Sequence, residues 1–298
     1  MANRLWAWGV LLTMGLTWGL SFSLARIAAT AGVHPLSITF WEAAGAGAIL
    51  LAVGLARGRV VPISRELVTL YVASGLLGMV IPGAIFFYAA AHVPAGLLSI
   101  SIAIIPVLTF ATSAVLRLEP FVLVRIAGVI LGVLSIILLV GPQQSLPDPA
   151  YLPWVLLSLI AAACYAALNV MVAVWKPHRA TSFTATTGMF MGASLIMVPI
   201  LYATGTFAPF AWPWRDAEWA MLGLGAINAV SYTLFFYLIE TAGPVFSSQT
   251  ANLVTLFGVL WGIVIFGEQH SAWVWLSLAT MMAAVALVAP RERVAPAL

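Results

Sequence analysis

The chain has 298 residues, 63% of them hydrophobic and only 7% charged, with a formal net charge of +3. Soluble domains carry about one-quarter charged residues, so this composition excludes an ordinary soluble protein and, with it, a nucleic-acid-binding reading of the small positive charge. The single cysteine, Cys164, excludes a disulfide framework and a cysteine-based metal site.

Apolar stretches of roughly 20 residues, enough to cross a bilayer as helices, follow one another along the chain, and ten are predicted. The first, 6–29, is too long for a usual signal-peptide core; it holds Trp18 and Phe22 mid-span and Arg26 near its end. The second, 35–57, carries Glu42 about eight residues in, where a charge costs about 2.5–3.5 kcal/mol on insertion scales. Arg26, at comparable depth, is its expected partner. The pair reads either as structural or as a direct substrate or proton site, since ionisable groups inside membranes are functional candidates by default.

The third stretch, 66–91, contains Pro82 and Tyr88, and the fourth, 94–116, contains Ser99, Ser101 and Pro106, with Glu119 just beyond in "VLRLEP". The fifth is 121–140. In the sixth, 150–175, Tyr165 and Asn169 stand at i, i+4; the seventh, 181–203, contains Pro199. In the eighth, 216–242, Asn228, Ser231, Tyr232 and Phe235 follow i, i+3, i+4, i+7 and so share one helical face. Gln249, Asn252, Thr255 and Trp261 lie in the ninth, 245–266, which Glu268 follows, and the tenth is 271–289. These neutral polar and aromatic residues fit either interhelical hydrogen bonding or an internal pathway. Glu119 and Glu268, at span ends, fit boundary roles or coupling and gating.

Basic residues favour the cytoplasmic side of short loops. With the N-terminus inside, Arg4, Arg57, Arg59, Arg65, Arg117, Arg125, Lys176, Arg179, Arg291 and Arg293 fall there, and only Arg26 and Arg215 fall outside. Both termini are therefore expected in the cytoplasm. Tryptophans such as Trp6, Trp154, Trp212 and Trp273 lie near span ends, as interfacial anchors do. His34, His92, His178 and His270 have no partner at metal-binding spacing.

The sequence also repeats. Shifted by the separation of Glu119 and Glu268, Phe86-Phe87-Tyr88 falls on Phe235-Phe236-Tyr237, and Ser99 falls on Ser248. Five spans match five, so the second half enters the membrane inverted, the design of many secondary transporters. The expected fold is an all-α integral membrane protein of ten helices, built as two inverted five-helix repeats over 1–142 and 143–298.

"LTWGLSFSLAR" at 16–26 and "ACYAALNVM" at 163–171, with "PAGLLSISIAIIPVLTFATSAVLRLEP" and its counterpart "GPVFSSQTANLVTLFGVLWGIVIFGEQ", resemble the EamA-type members of the drug/metabolite transporter superfamily. Among its branches the chain is most similar to the amino-acid and metabolite exporters of the YddG type. Thr255 stands where a proline is usual, and Glu42 about where many relatives carry arginine.

The resemblance implies a secondary transporter exporting small amphipathic metabolites, amino acids with aromatic or apolar side chains foremost, by alternating access. Its expected substrate site comprises Trp18, Phe22, Tyr88, Ser99, Tyr165, Asn169, Asn228, Ser231, Tyr232, Gln249 and Asn252, with Glu42, Arg26, Glu119 and Glu268 as candidates for coupling or gating. The expected partners are a small-molecule substrate and membrane lipid, with no cofactor; a monomer suffices, and an oligomer is compatible. Proton-coupled antiport, a channel and a lipid scramblase are the alternatives. An intramembrane enzyme is disfavoured, since no nucleophile with its base and no His–carboxylate cluster lies at one depth.

Overall fold

The structure, a computed structural model, describes residues 2–59, 61–117, 122–140, 146, 148–175, 177, 180–247 and 250–288, with backbone alone at 2–5, 7–8, 140, 173, 236–247, 252 and 288. Its helices are α1 (Ala2–Thr30), α2 (Pro35–Ala56), α3 (Arg65–Gly75), α4 (Ile81–Ala90), α5 (Ala95–Ile102), α6 (Ile105–Val115), α7 (Leu123–Val140), α8 (Leu152–Trp175), α9 (Ser182–Thr204), α10 (Asp216–Ser247), α11 (Thr250–Phe266) and α12 (Ala272–Val288). No strand occurs among the described residues. This is what lipid demands of a spanning chain, because a helix satisfies its own backbone groups.

Six helical stretches are long and apolar enough to cross a membrane: Gly9–Thr30, Pro35–Ala56, Arg65–Ala90, Ala95–Val115, Pro149–Val172 and Ser182–Thr204. Shorter apolar helices occupy Leu123–Leu139, Leu253–Phe266 and Ala272–Leu287. α10 runs on to Ser247, past the expected break near 242–245.

Prolines explain where two of these stretches are interrupted. Pro82 lacks an N–H and its ring crowds the carbonyl four residues earlier, and the turn before it widens into a π-helix over Leu76–Val80. Pro106 acts the same way on the turn at Ala103–Ile104, which separates α5 from α6. Pro199 sits inside α9 without breaking it. α9 begins on a Thr181 side chain that accepts from Thr184 N–H at 3.2 Å and ends on Gly205 at φ +64°, a left-handed turn that glycine adopts without penalty.

Packing is between distant parts of the chain. α1 lies against α10 and α11, and α8 lies against α4, α5 and α6; α2 packs on α9 and α10, α9 on α3, α5 on α11, and α7 on α12. Small residues let the helices approach, as in other membrane bundles. A Cβ on Gly19 would stand 2.7 Å from Phe257 Cβ and 2.9 Å from Gly258 N, so α1 meets α11 nearly backbone to backbone. On α9, Gly188 and Gly192, one turn apart, receive Tyr71 of α3.

Buried hydroxyls stitch the same interfaces. Ser158 on α8 donates to Ser101 on α5 at 2.7 Å, and Ser277 on α12 donates to the Ser135 carbonyl on α7 at 2.7 Å.

Candidate functional site

The polar face expected on α10 lies against α1. Trp18 Nε1–H donates to Asn228 Oδ1 at 2.8 Å, Ser231 and Thr17 share a hydroxyl hydrogen bond of 3.3 Å, and the Trp18 ring meets Tyr232 edge-on at 4.9 Å and Phe235 at 5.8 Å. The four-residue spacing read from the sequence therefore corresponds to one continuous contact.

Asn228 then extends the network to α2. Its Nδ2 donates to Glu42 Oε1 at 2.5 Å and to the Leu224 carbonyl at 3.1 Å, so both amide hydrogens and the amide oxygen are engaged. Glu42 is only 8% exposed. Tyr165 on α8 and Tyr232 on α10 lie within electrostatic range of its carboxylate, and Phe190 on α9 meets Tyr232 edge-on at 5.4 Å. Trp18, Tyr165 and Tyr232 are half-buried. Five helices thus bring one carboxylate, one amide and a set of aromatic faces together.

Arg26 is not part of this group. The expected Arg26–Glu42 pair is replaced by Arg26 with Glu268: Arg26 Nη1 donates to Glu268 Oε1 at 2.5 Å, and the guanidinium lies 4.6 Å from the centre of the Phe266 ring. Two turns of helix separate Trp18 from Arg26, and the arginine's partner comes from the connection between α11 and α12. Glu268 Oε1 also accepts Ala95 N–H at 2.7 Å, and its Oε2 accepts Gly96 N–H at 2.9 Å. The carboxylate therefore caps the first turn of α5, whose N–H groups have no partner within their own helix and whose dipole favours a negative charge there.

His270 Nε2 stands 3.6 Å from Glu268 Oε2, and the imidazole is 1% exposed. Neither ring nitrogen has a hydrogen-bond partner among the described residues. Burial pushes this histidine below its ordinary range, with the Glu268 charge opposing. Glycine makes the cluster possible: a Cβ on Gly96 would lie 2.7 Å from His270 Nε2, and one on Gly262 would lie 2.5 Å from Glu268 Oε2.

Other expected site residues lie elsewhere. Ser99 is fully buried and donates to the Gly96 and Thr255 carbonyls, and Phe22 is buried against Phe86 and Gly258. Tyr88 is exposed and shares a 3.2 Å hydrogen bond with His34; Asn169 is exposed and donates to Thr109 at 3.3 Å. Gln249, Glu119 and the Asn252 side chain lie outside the described residues. Sequence reasoning missed Phe190, Gly96 and Gly262; for the glycines, their positions two residues after Pro94 and next to Trp261 were the available signals.

The fold and this centre define a multi-pass helical membrane protein whose polar groups are gathered between its helices. The sequence profile of the EamA-like transporter family matches residues 5–141 and again 152–289, and the chain belongs to that family. It is 26% identical over 303 residues to a protein of Escherichia coli (strain K12) described as "Uncharacterized inner membrane transporter YedA", covering 97% of this chain and 92% of that protein. The YedA proteins of the O6:H1 and O157:H7 strains match equally. A solved protein crystal structure shares the fold, with a TM-score of 0.66 at 20% identity over 95% of this chain and 96% of the other.

Proposed function

We propose that the protein is a secondary transporter that exports small amphipathic metabolites, amino acids with aromatic or apolar side chains among them, by alternating access around the Glu42–Asn228–Trp18 centre. The observation that carries this reading is that centre itself. Polar groups hydrogen-bonded between α1, α2 and α10, with the half-buried Trp18 and Tyr232 beside them, stand where an apolar bundle has no structural need of a carboxylate.

In this reading α3 with α4 and α5 with α6 each make one span, giving ten, five in 1–142 and five in 143–298. Reciprocal packing supports an inverted repeat: α1 takes α10 and α11 as partners, and α8, its counterpart, takes α4 and α5–α6. The twofold match of the family profile supports it too. In this reading both termini face the cytoplasm, which the excess of basic residues on that side supports; the two left outside, Arg26 and Arg215, each sit beside a carboxylate, Glu268 and Glu218. The inner membrane is the location, as the name of the E. coli relatives suggests. Arg26 and Glu268 then close the outer end of the bundle, and that end opens to release substrate.

Counterflow into liposomes over a panel of amino acids, amines and nucleosides tests the reading. Saturable, stereoselective flux is expected. Flux that never saturates points to a channel, and no flux above protein-free liposomes overturns the proposal. One observation favours proton-coupled exchange as a second reading: Glu42 has no basic partner among the described residues. Flux that is absent until a pH gradient is imposed would select it.

A further inference from the structure

We propose that Glu42 is the recognition group for a positively charged nitrogen on the substrate, so that the transported class is defined by an amine and not by a carboxylate. The inference rests on the transporter reading above and narrows it.

An ionised carboxylate withdrawn from water is costly unless it is paired and hydrogen-bonded, and inside a membrane such groups pair with one another or mark a substrate path. Glu42 is 8% exposed, and among the described residues no arginine, lysine or histidine pairs with it. Asn228 Nδ2 satisfies Oε1, while Oε2 accepts no hydrogen bond from a described residue. The arginine at comparable depth is consumed elsewhere, by Glu268 and the Phe266 ring.

What surrounds Glu42 has the chemistry of a cation site. Trp18 and Tyr232 form an edge-to-face pair at 4.9 Å, Phe190 meets Tyr232 edge-on at 5.4 Å, and Tyr165 lies within electrostatic range of the same carboxylate. Aromatic faces attract ammonium groups through the ring quadrupole, most strongly where water is excluded. An ammonium group bound here donates to Oε2 and rests against the half-buried Trp18, Tyr165 and Tyr232. A substrate carboxylate finds no such partner, because no cation stands free near this centre among the described residues. The site therefore favours an amine with an apolar or aromatic body over the corresponding acid, and gains nothing from the carboxylate of an amino acid.

The test uses three ligands with the same phenyl body: phenethylammonium, phenylalanine and 3-phenylpropionate. Equilibrium binding to the full-length purified protein in detergent is measured by titration calorimetry, alongside their power to drive counterflow. Phenethylammonium is expected to bind at least as tightly as phenylalanine, and phenylpropionate not at all. Glu42→Gln should weaken phenethylammonium by roughly tenfold or more, the scale of one charge-assisted contact, and Glu42→Asp should recover part of that loss. Phenylalanine binding while phenethylammonium does not overturns the amine rule and leaves the transporter reading intact. Equal phenethylammonium binding by wild type and a folded Glu42→Gln protein also overturns it, and absence of binding by all three overturns it together with the substrate class. If Glu42→Gln does not fold, the wild-type ligand series decides alone.

Discussion

Arg26, near the end of α1, donates to Glu268 in the connection before α12, joining residues 242 positions apart in the chain. The same carboxylate holds the first two N–H groups of α5. Three donors from two helices, α1 and α5, therefore share one carboxylate. Glu268→Ala leaves the Arg26 charge and both amides without it, and breaking a buried pair by removing one member costs about 3–5 kcal/mol. Arg26 keeps some access to water, so the expected loss is toward about 3 kcal/mol. Thermal unfolding in detergent measures it, and Glu268→Gln should lose less because its carbonyl still accepts one N–H.

Gly96→Ala should reproduce part of that loss without removing a charge. The added methyl would lie 2.7 Å from His270 Nε2 and 3.0 Å from Glu268 Oε2, so one of them must move. Overpacking of this kind costs about 1–3 kcal/mol. Gly9→Ala, also inside a helix but with nothing within 4 Å of the new methyl, is the matched control and should not destabilise, gaining up to about 0.5–1 kcal/mol from alanine's better helix propensity.

Asn228→Ala removes the amide that joins Trp18 to Glu42. The indole N–H and one carboxylate oxygen then lose their partner, at about 1–3 kcal/mol for the buried groups left unsatisfied. Transport in the counterflow assay should fall more steeply than stability. An Asn228→Ala protein that unfolds early yet transports at the wild-type rate would show that the amide serves packing alone.

Stability should also depend on pH through His270, which lies in the connection between α11 and α12. Its folded value sits below the ordinary 6.5, chiefly because of burial. The unfolded chain therefore binds this proton first as pH falls, and stability declines from about pH 6.5 downward until the folded form is protonated as well. Above that window His270 contributes no slope. Unfolding scans between pH 5 and pH 8, compared with His270→Gln, should show the acid-side decline flattened in the variant.

Gly19→Ala tests the approach of α1 to α11. The new methyl meets Phe257 Cβ and the Gly258 backbone below 3.0 Å, where little can yield, so a loss of about 1–3 kcal/mol is expected.

The α10 stripe was legible because a 3.6-residue period says which side chains share a face, and Asn228, Ser231, Tyr232 and Phe235 do meet one neighbour. The prolines likewise announced the breaks before α4 and α6. Depth along a span was legible for Arg26 and Glu42, but depth does not give azimuth, and the two residues face different neighbours. The partners of Glu268 were hidden for another reason: two of them are backbone amides, which every residue carries and which no letter of the sequence distinguishes. Ser99 reads as a cavity donor by type, yet its hydroxyl is spent on the Gly96 and Thr255 carbonyls.

The capping of α5 by Glu268 also orders the assembly of the chain in time. When α5 enters the membrane during synthesis, the residue that completes its first turn lies 172 positions downstream of Gly96 and has not yet been made. The N-terminal half must wait with its Arg26 charge and two amides uncovered until the connection after α11 arrives. A chain truncated before residue 268 should therefore insert its early helices and yet remain a substrate for membrane quality control, because the carboxylate that caps α5 and pairs with Arg26 is encoded in its second half.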